Sequence, residues 1–240
     1  IHVVYQTQLD GQSRELVGFE ALCRWKSAEL GDVSPVEFIP LAERHGVIGE
    51  IGLFVLREAT ATVKRWSAEY QRPDLRVSVN VSPHQLVDRA LVDTVAVMID
   101  DGLIEPANLV LEVTETTMMG TVSSAVRHLS EVRGLGVRVA VDDFGTGYSS
   151  LASLRSLPAD ELKIDRAFVS GVSDDPKNQE MVRVVVAMAD VLGLEVTAEG
   201  VESEDDIDVV RRLGCDLLQG FAIGRPSSEP LGGFQATIDA

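Results

Sequence analysis

Residues 137–151 run an apolar stretch into two adjacent carboxylates, Asp142 and Asp143, and then into a glycine-punctuated turn. Val137, Val139 and Val141 alternate with Arg138, Ala140 and Asp142. That is the pattern of a strand, so Ala140 and Asp142 share one face, and Asp143 follows at the rim, pointing elsewhere. A buried, isolated carboxylate neutralises itself or destabilises the fold, so Asp142, if it lies inside a core, requires a cation. Other apolar stretches end in the same way: Asn80, Glu112, Lys163, Glu199 and Gln219 close candidate strands, and Glu20 lies in an earlier one with Leu22 and Arg24 on its face. Ser78 lies beneath Asn80 and Thr197 beneath Glu199, small residues that leave room among the polar ends.

Taken singly, each acid has an ordinary reading as a cap, a surface charge or an ion-pair partner. Glu112 and Asp142 depart from it because their neighbours are core residues. Five carboxylates, Glu20, Glu112, Asp142, Asp143 and Glu199, face two cations, Arg24 and Lys163, and the excess negative charge argues for divalent metal. The donors are oxygens. No His-x-His or Cys-x-x-Cys spacing occurs, and His2, His45, His84 and His128 are scattered and read as surface or cap residues. Oxygen donors suit magnesium or manganese, with calcium as a further candidate, rather than structural zinc. Two such ions about 3.5–4 Å apart serve in-line displacement at a phosphodiester, so phosphoryl chemistry is the class indicated.

The elements that must position these residues alternate. Strands are expected at 2–8, 16–25, 75–81, 109–114, 137–143, 160–164, 195–199 and 216–219. Helices are expected from Ser34-Pro35 to Gly46, over 50–70, from Ser82-Pro83 to Asp100, and over 122–135, 178–192 and 203–213. Seven residues between the first two strands cannot hold a crossover helix, so that pair must be antiparallel. The expected fold is α/β, a TIM-like (β/α)8 barrel with its first strand reversed; an open doubly wound sheet is the alternative.

At 240 residues and 45% hydrophobic content the chain suits one domain, residues 1–240, with a sizeable core. A net charge of -17 argues against a nucleic-acid duplex or an anionic membrane surface as partner. Cys23 and Cys215 sit in apolar contexts, which suits buried thiols in a reducing, cytoplasmic setting, although a disulfide between them stays open. The chain starts at Ile1 inside a strand and reads as a domain excised from a longer protein, and no signal peptide is visible. The apolar stretch 182–196 is broken by Arg183 and Asp190 and is too short to span a bilayer; any membrane anchor would belong to the parent protein.

The motifs Glu20-Ala21-Leu22-Cys23-Arg24-Trp25, Asn80-Val81-Ser82, Glu112-Val113-Thr114-Glu115, Asp142-Asp143-Phe144-Gly145-Thr146-Gly147, Lys163-Ile164-Asp165-Arg166, Ala198-Glu199-Gly200-Val201-Glu202 and Gln219-Gly220-Phe221 resemble those of EAL domains, the bacterial phosphodiesterases of cyclic di-GMP. The resemblance runs from Tyr5 to Pro226. It implies hydrolysis of cyclic di-GMP to linear pGpG with two magnesium or manganese ions, calcium being non-productive or inhibitory. It also implies a homodimer, and further domains in the parent chain. By position, Glu20, Asn80, Glu112, Asp142, Asp143 and Glu199 match metal ligands, Glu199 being also the general base, and Lys163 matches the lysine on the attacking water. Arg24, Gln6 and Gln219 match substrate contacts, Gln219 near the metal-bound water, and Glu115 matches the glutamate that steadies the loop after Asp142-Asp143. The departures are Thr7, where proline is common, and Phe221, where tyrosine is frequent. Two other readings compete: a non-catalytic cyclic di-GMP receptor signalling to a partner, and a barrel used only as a docking scaffold. Gly145-Thr146-Gly147 lacks the third glycine of a dinucleotide fingerprint.

Overall fold

A computed structural model of the chain describes residues 1–115, 117, 123–146 and 158–229. Gly147 and the residues that follow it in the stretch 137–151, and the start of the helix expected at 122, lie outside the described residues.

Strand β1 (His2–Asp10) turns into β2 (Leu16–Ser27), and the two pair antiparallel from His2 opposite Arg24 to Leu9 opposite Leu16. The Asp10 carboxylate closes this turn by accepting the N–H groups of Gln12 and Ser13 at 2.9 and 2.7 Å. A short β3 (Gly31–Val33), not foreseen from sequence, folds back on the end of β2. Helices α1 (Pro35–Arg44) and α2 (Ile48–Glu69) lead to β4 (Arg76–Asn80). After α3 (Pro83–Val87) and α4 (Ala90–Asp100) come β5 (Leu109–Thr114), α5 (Ser123–Gly134) and β6 (Arg138–Phe144). Then β7 (Glu161–Ile164), α6 (Arg166–Val169), α7 (Pro176–Leu192), β8 (Glu195–Ala198), α8 (Glu204–Leu213) and β9 (Leu217–Gln219) complete the order.

Strands β2, β4, β5, β6, β7, β8 and β9 are parallel in that order, and β1 closes the cylinder by pairing antiparallel with both β9 and β2. The expected eight-stranded barrel with one reversed strand is the fold. The pleat sorts its residues. Val77, Val79, Leu109, Leu111, Val113, Val139, Val141, Leu162, Ile164 and Leu218 belong to the buried apolar core. The helices supply Leu56, Ala59, Val63, Val95, Leu129, Val182, Val185, Ala189 and Ile207 to the same core, each such valine, leucine or isoleucine contributing about 1.5–3 kcal/mol on burial. The alternate face of the strands is polar and lines the barrel. Its floor is an ion cluster in which Arg76 and Arg138 reach Glu195 at 2.9 and 2.5 Å, with the Thr197 hydroxyl donating to Glu161 at 2.6 Å above it.

One helix expectation needs correction. The helix opening at Ser82 does not run on to Asp100: Asp88 is extended, and its carboxylate accepts the Ala90 N–H at 2.9 Å, which ends α3 and starts α4. The Ser34 side chain makes no cap hydrogen bond at the start of α1, whereas Ser82 does donate its N–H to Gln85 Oε1 at 3.2 Å at the start of α3. Among the described residues no helix is long and apolar enough to cross a membrane. Cys23 and Cys215 are both free thiols.

Candidate active site

Parallel strands send their C-terminal ends to one mouth, and there the residues singled out above meet. Asn80 pairs across to Glu112, and its Nδ2 donates to Glu20 Oε1 at 2.7 Å and to Glu112 Oε2 at 3.2 Å. Gln219 Nε2 donates to the other oxygen of Glu20 at 2.5 Å and to Gln6 Oε1 at 3.2 Å, while its own Oε1 accepts from Gln8 at 2.8 Å. Lys163, with no exposed surface, places Nζ 2.6 Å from Glu199, 2.7 Å from Glu112, 3.6 Å from Glu20 and 3.7 Å from Asp142. Arg24, the other candidate cation, makes no ion pair among the described residues; it donates to the Cys23 carbonyl at 2.9 Å.

How Asp142 and Asp143 come to share the rim is a matter of backbone. Val141 pairs with Leu162 and Phe144 with Ile164, so two residues of β6 stand against Lys163 alone. This is a bulge, and it carries Asp143 into the left-handed region at φ +56, which costs a non-glycine residue energy and is held only by its surroundings. The Asp143 N–H donates to Asp142 Oδ1 at 2.9 Å. Beyond it, Gly145 donates its N–H to the buried Glu115 at 2.9 Å, so Glu115 fixes the turn that follows the bulge.

The electrostatics follow from packing acids around one base. Burial, and then the charge of Glu20, pushes Glu112 well above the ordinary carboxylate range. Burial does the same to Glu199 against the pull of Lys163. Asp143 is pushed up to about 6 by burial and then by Asp142 and Asp165. Burial also opposes the charge on Glu20, but Lys163 and the amides of Gln219 and Asn80 prevail and hold it low. On Lys163 the surrounding carboxylates overcome burial and raise it well above the usual lysine range, so it is cationic.

This donor set fits a hard divalent cation. Glu112 Oε1 is buried, and neither it nor Lys163 Nζ meets a partner at hydrogen-bonding angles, so their 2.7 Å contact is one of charge only. Four carboxylates against one ammonium leave negative charge for a cation to offset, and all the donors are oxygens. The residues do not form a ready cage: among the described residues no group of three or more His, Cys, Asp or Glu stands poised for a metal. The ammonium of Lys163 sits between the acids, and Asn80 turns its amino group rather than its oxygen toward them.

A cavity of about 270 Å³ opens beside the cluster, lined by Gln6, Glu20, Arg24, Asp142, Glu199 and Gln219 of the expected set. It is also lined by Arg166, Glu202 and Phe221, to which the sequence reading gave no role in the site. Arg166 and Glu202 lie within quoted motifs, one residue past Asp165 and two past Gly200, so the signal was the loop immediately beyond a strand end. A second, larger cavity of about 540 Å³ runs from Glu20 and Asn80 between α1, α2 and the start of α3. One histidine departs from expectation: His128 is buried on α5, with Nδ1 2.8 Å from the Leu86 carbonyl.

A sequence profile described as the EAL domain matches residues 1–226. The bifunctional diguanylate cyclase/cyclic di-GMP phosphodiesterase MucR of Pseudomonas aeruginosa is 40% identical over 222 residues, 92% of this chain and 32% of the relative. The cyclic di-GMP phosphodiesterase PA2567 of the same organism is 36% identical over 225 residues, 94% of this chain and 38% of the relative. The chain thus spans between 32% and 38% of the length of these relatives. Among solved structures, a PaMucR phosphodiesterase in complex with c-di-GMP superposes with a TM-score of 0.87 at 40% identity, covering 94% of this chain and 91% of that one. The EAL domain of Mycobacterium smegmatis DcpA superposes at 0.79 with 35% identity, covering 98% and 96%. With this match across nearly its full length, the chain belongs to the EAL domain family.

Proposed function

We propose that this domain hydrolyses cyclic di-GMP to linear pGpG with magnesium or manganese. The observation that carries the reading is the convergence of Glu20, Glu112, Asp142 and Glu199 within 3.7 Å of one buried lysine beside an open pocket. Relatives named as cyclic di-GMP phosphodiesterases, and a related structure holding c-di-GMP, support the choice of substrate. Glu20, Asn80, Glu112, Asp142, Asp143 and Glu199 would hold the ions, and calcium would compete for the same oxygens without turnover. Bound divalent ions supply Lewis acidity: they lower the pKa of water and offset charge on the phosphoryl oxygens.

The chain's own groups do the rest. Lys163 stays charged and offers N–H donors that orient the attacking oxygen and stabilise developing negative charge. Glu199 lies 2.6 Å from Lys163 Nζ, which places its carboxylate beside that oxygen to take up its proton. Gln219 fixes Glu20 from one side and Asn80 fixes it from the other. The guanidinium of Arg24 is available to a phosphate on the pocket wall. Glu115 keeps the turn after Asp143 in place through Gly145.

The test is to incubate the purified domain with cyclic di-GMP and manganese or magnesium, with and without chelator, and to separate the nucleotides by chromatography. Metal-dependent appearance of pGpG is the expected result. Intact substrate in the presence of tight binding would replace this reading by that of a receptor.

A further inference from the structure

The pocket beside the carboxylate cluster is walled by two arginines from opposite sides of the barrel. Arg24 stands on β2 and Arg166 follows β7 at the first position of α6. In the order β2, β4, β5, β6, β7 and, the other way, β2, β1, β9, β8, β7, the two strands are four steps apart in either direction, which is diametric in an eight-stranded cylinder.

Arg166 differs from most arginines of this acidic chain. Those at 14, 72, 76, 89, 127, 133, 138, 183 and 211 all pair with acids. The side chain of Arg166 makes no ion pair or hydrogen bond with the described residues, although Glu20, Asp142, Glu199 and Glu202 line the same pocket. Its neighbour Asp165 is spent on the helix start, accepting the Ala167 N–H at 2.9 Å. The root of Arg166 is nevertheless fixed. Gly200, at φ +72, lies so close that a Cβ there would meet the Arg166 Cβ at 2.4 Å, so the loop after β8 packs against the arginine's stem and leaves its head to the pocket. A rooted but unpaired guanidinium at a pocket wall is a site for an anion with paired oxygens.

We propose that Arg166 is a second phosphate-binding arginine, and that with Arg24 it spans the pocket to grip the two phosphodiesters of a cyclic dinucleotide. The inference rests on the functional reading above and deepens it. A ring with two anionic groups presents one phosphate to the carboxylate cluster and needs a cation for the other, and among the described residues lining this pocket only Arg24 and Arg166 carry positive charge. A ligand with one phosphate engages only one of the two.

The test compares wild type with Arg166→Ala and Arg166→Lys. Binding of cyclic di-GMP is measured calorimetrically in chelator, KM and kcat in manganese, and GMP serves as the one-phosphate probe. Arg166→Ala is expected to weaken cyclic di-GMP binding about tenfold to a hundredfold. It should raise KM more than it lowers kcat, reduce the dependence of binding on salt, and leave the melting temperature unchanged. Arg166→Lys should recover part of the loss, since it keeps the charge without the fork. Affinity and KM unchanged in Arg166→Ala would overturn the proposal, and so would equal losses for cyclic di-GMP and GMP, because the arginine would then not be reading the second phosphate. Wild type that neither binds cyclic di-GMP in chelator nor turns it over in manganese would refute the functional reading itself, an outcome recognisable without any variant.

Discussion

Replacing Lys163 by methionine keeps the length and bulk of the side chain and removes its charge. In wild type the ammonium lies 2.6–3.7 Å from Glu199, Glu112, Glu20 and Asp142. At an effective dielectric near 20 each such contact is worth about 4 kcal/mol or more before desolvation. Much of that is cancelled by the cost of burying the charges, and stranding buried acids by removing their partner costs about 3–5 kcal/mol net. A domain of this size loses about 2–4 °C of melting temperature per kcal/mol, so Lys163→Met should melt roughly 6–20 °C lower than wild type in chelator. The loss depends on pH in a definite direction. Without the lysine, the folded-state pKa values of Glu112 and Glu199, already raised, rise further. A carboxyl whose pKa is raised on folding favours the fold while protonated, and that contribution is lost as pH rises through the raised value. The gap between variant and wild type should therefore be wider at pH 8 than at pH 5. Manganese should narrow it, because the ion supplies the missing charge. The assay is a thermal scan by circular dichroism in chelator at the two pH values, then with manganese. Equal melting of the two proteins in chelator at pH 8 would refute the idea that Lys163 neutralises this cluster.

Glu20→Ala removes the acid that both Asn80 and Gln219 hold in place, and should lower turnover by at least about a hundredfold while circular dichroism reports an intact fold; near-normal turnover would remove the metal argument. Gly220→Ala should destabilise by about 1–3 kcal/mol in urea unfolding, because the new Cβ would lie 2.2 Å from both the N and the O of Val201, and backbone cannot step aside cheaply. On Asp206, burial acts upward, but the N–H of Ser173 at 3.1 Å and the hydroxyl of Ser203 at 2.7 Å prevail and hold the carboxyl below its ordinary value. Its contribution is thus present at neutral pH and lost as pH falls through the folded-state value. Asp206→Asn should cost about 1–3 kcal/mol at pH 7, and the difference should close in acid; a gap that persists below the carboxylate range would point to shape rather than charge.

The barrel was legible because its strands have two periods at once: apolar residues facing helices on one side and polar residues ending at one mouth on the other. The seven-residue link after β1 also gave away the reversed strand, since chain length forbids the alternative. What stayed hidden depended on partners distant in sequence. Nothing near Asp88 in the sequence says that its carboxylate ends one helix and starts the next. That Asp142 and Asp143 share the rim comes from a bulge set by the pairing of β6 with β7, and pairing register is not written in either strand alone. His128 looked like a surface residue until α3 placed the Leu86 carbonyl against it. The role of Lys163 as the shared counter-ion of four acids needs all five strands that supply them to be in place, although each residue could be named in advance.

The reversal of β1 has a further effect on how this domain is connected. In an all-parallel barrel the polypeptide enters at the floor, away from the mouth. Here His2 pairs with Arg24, beyond Glu20 along β2, so the chain enters at the mouth and runs down to the turn at Asp10 before climbing back through Glu20. A segment joined ahead of His2 would leave the cylinder beside the pocket wall that Arg24 forms. Movement of such a segment would reach pocket-lining residues through Gln6 and its bond to Gln219, without first crossing the helical shell.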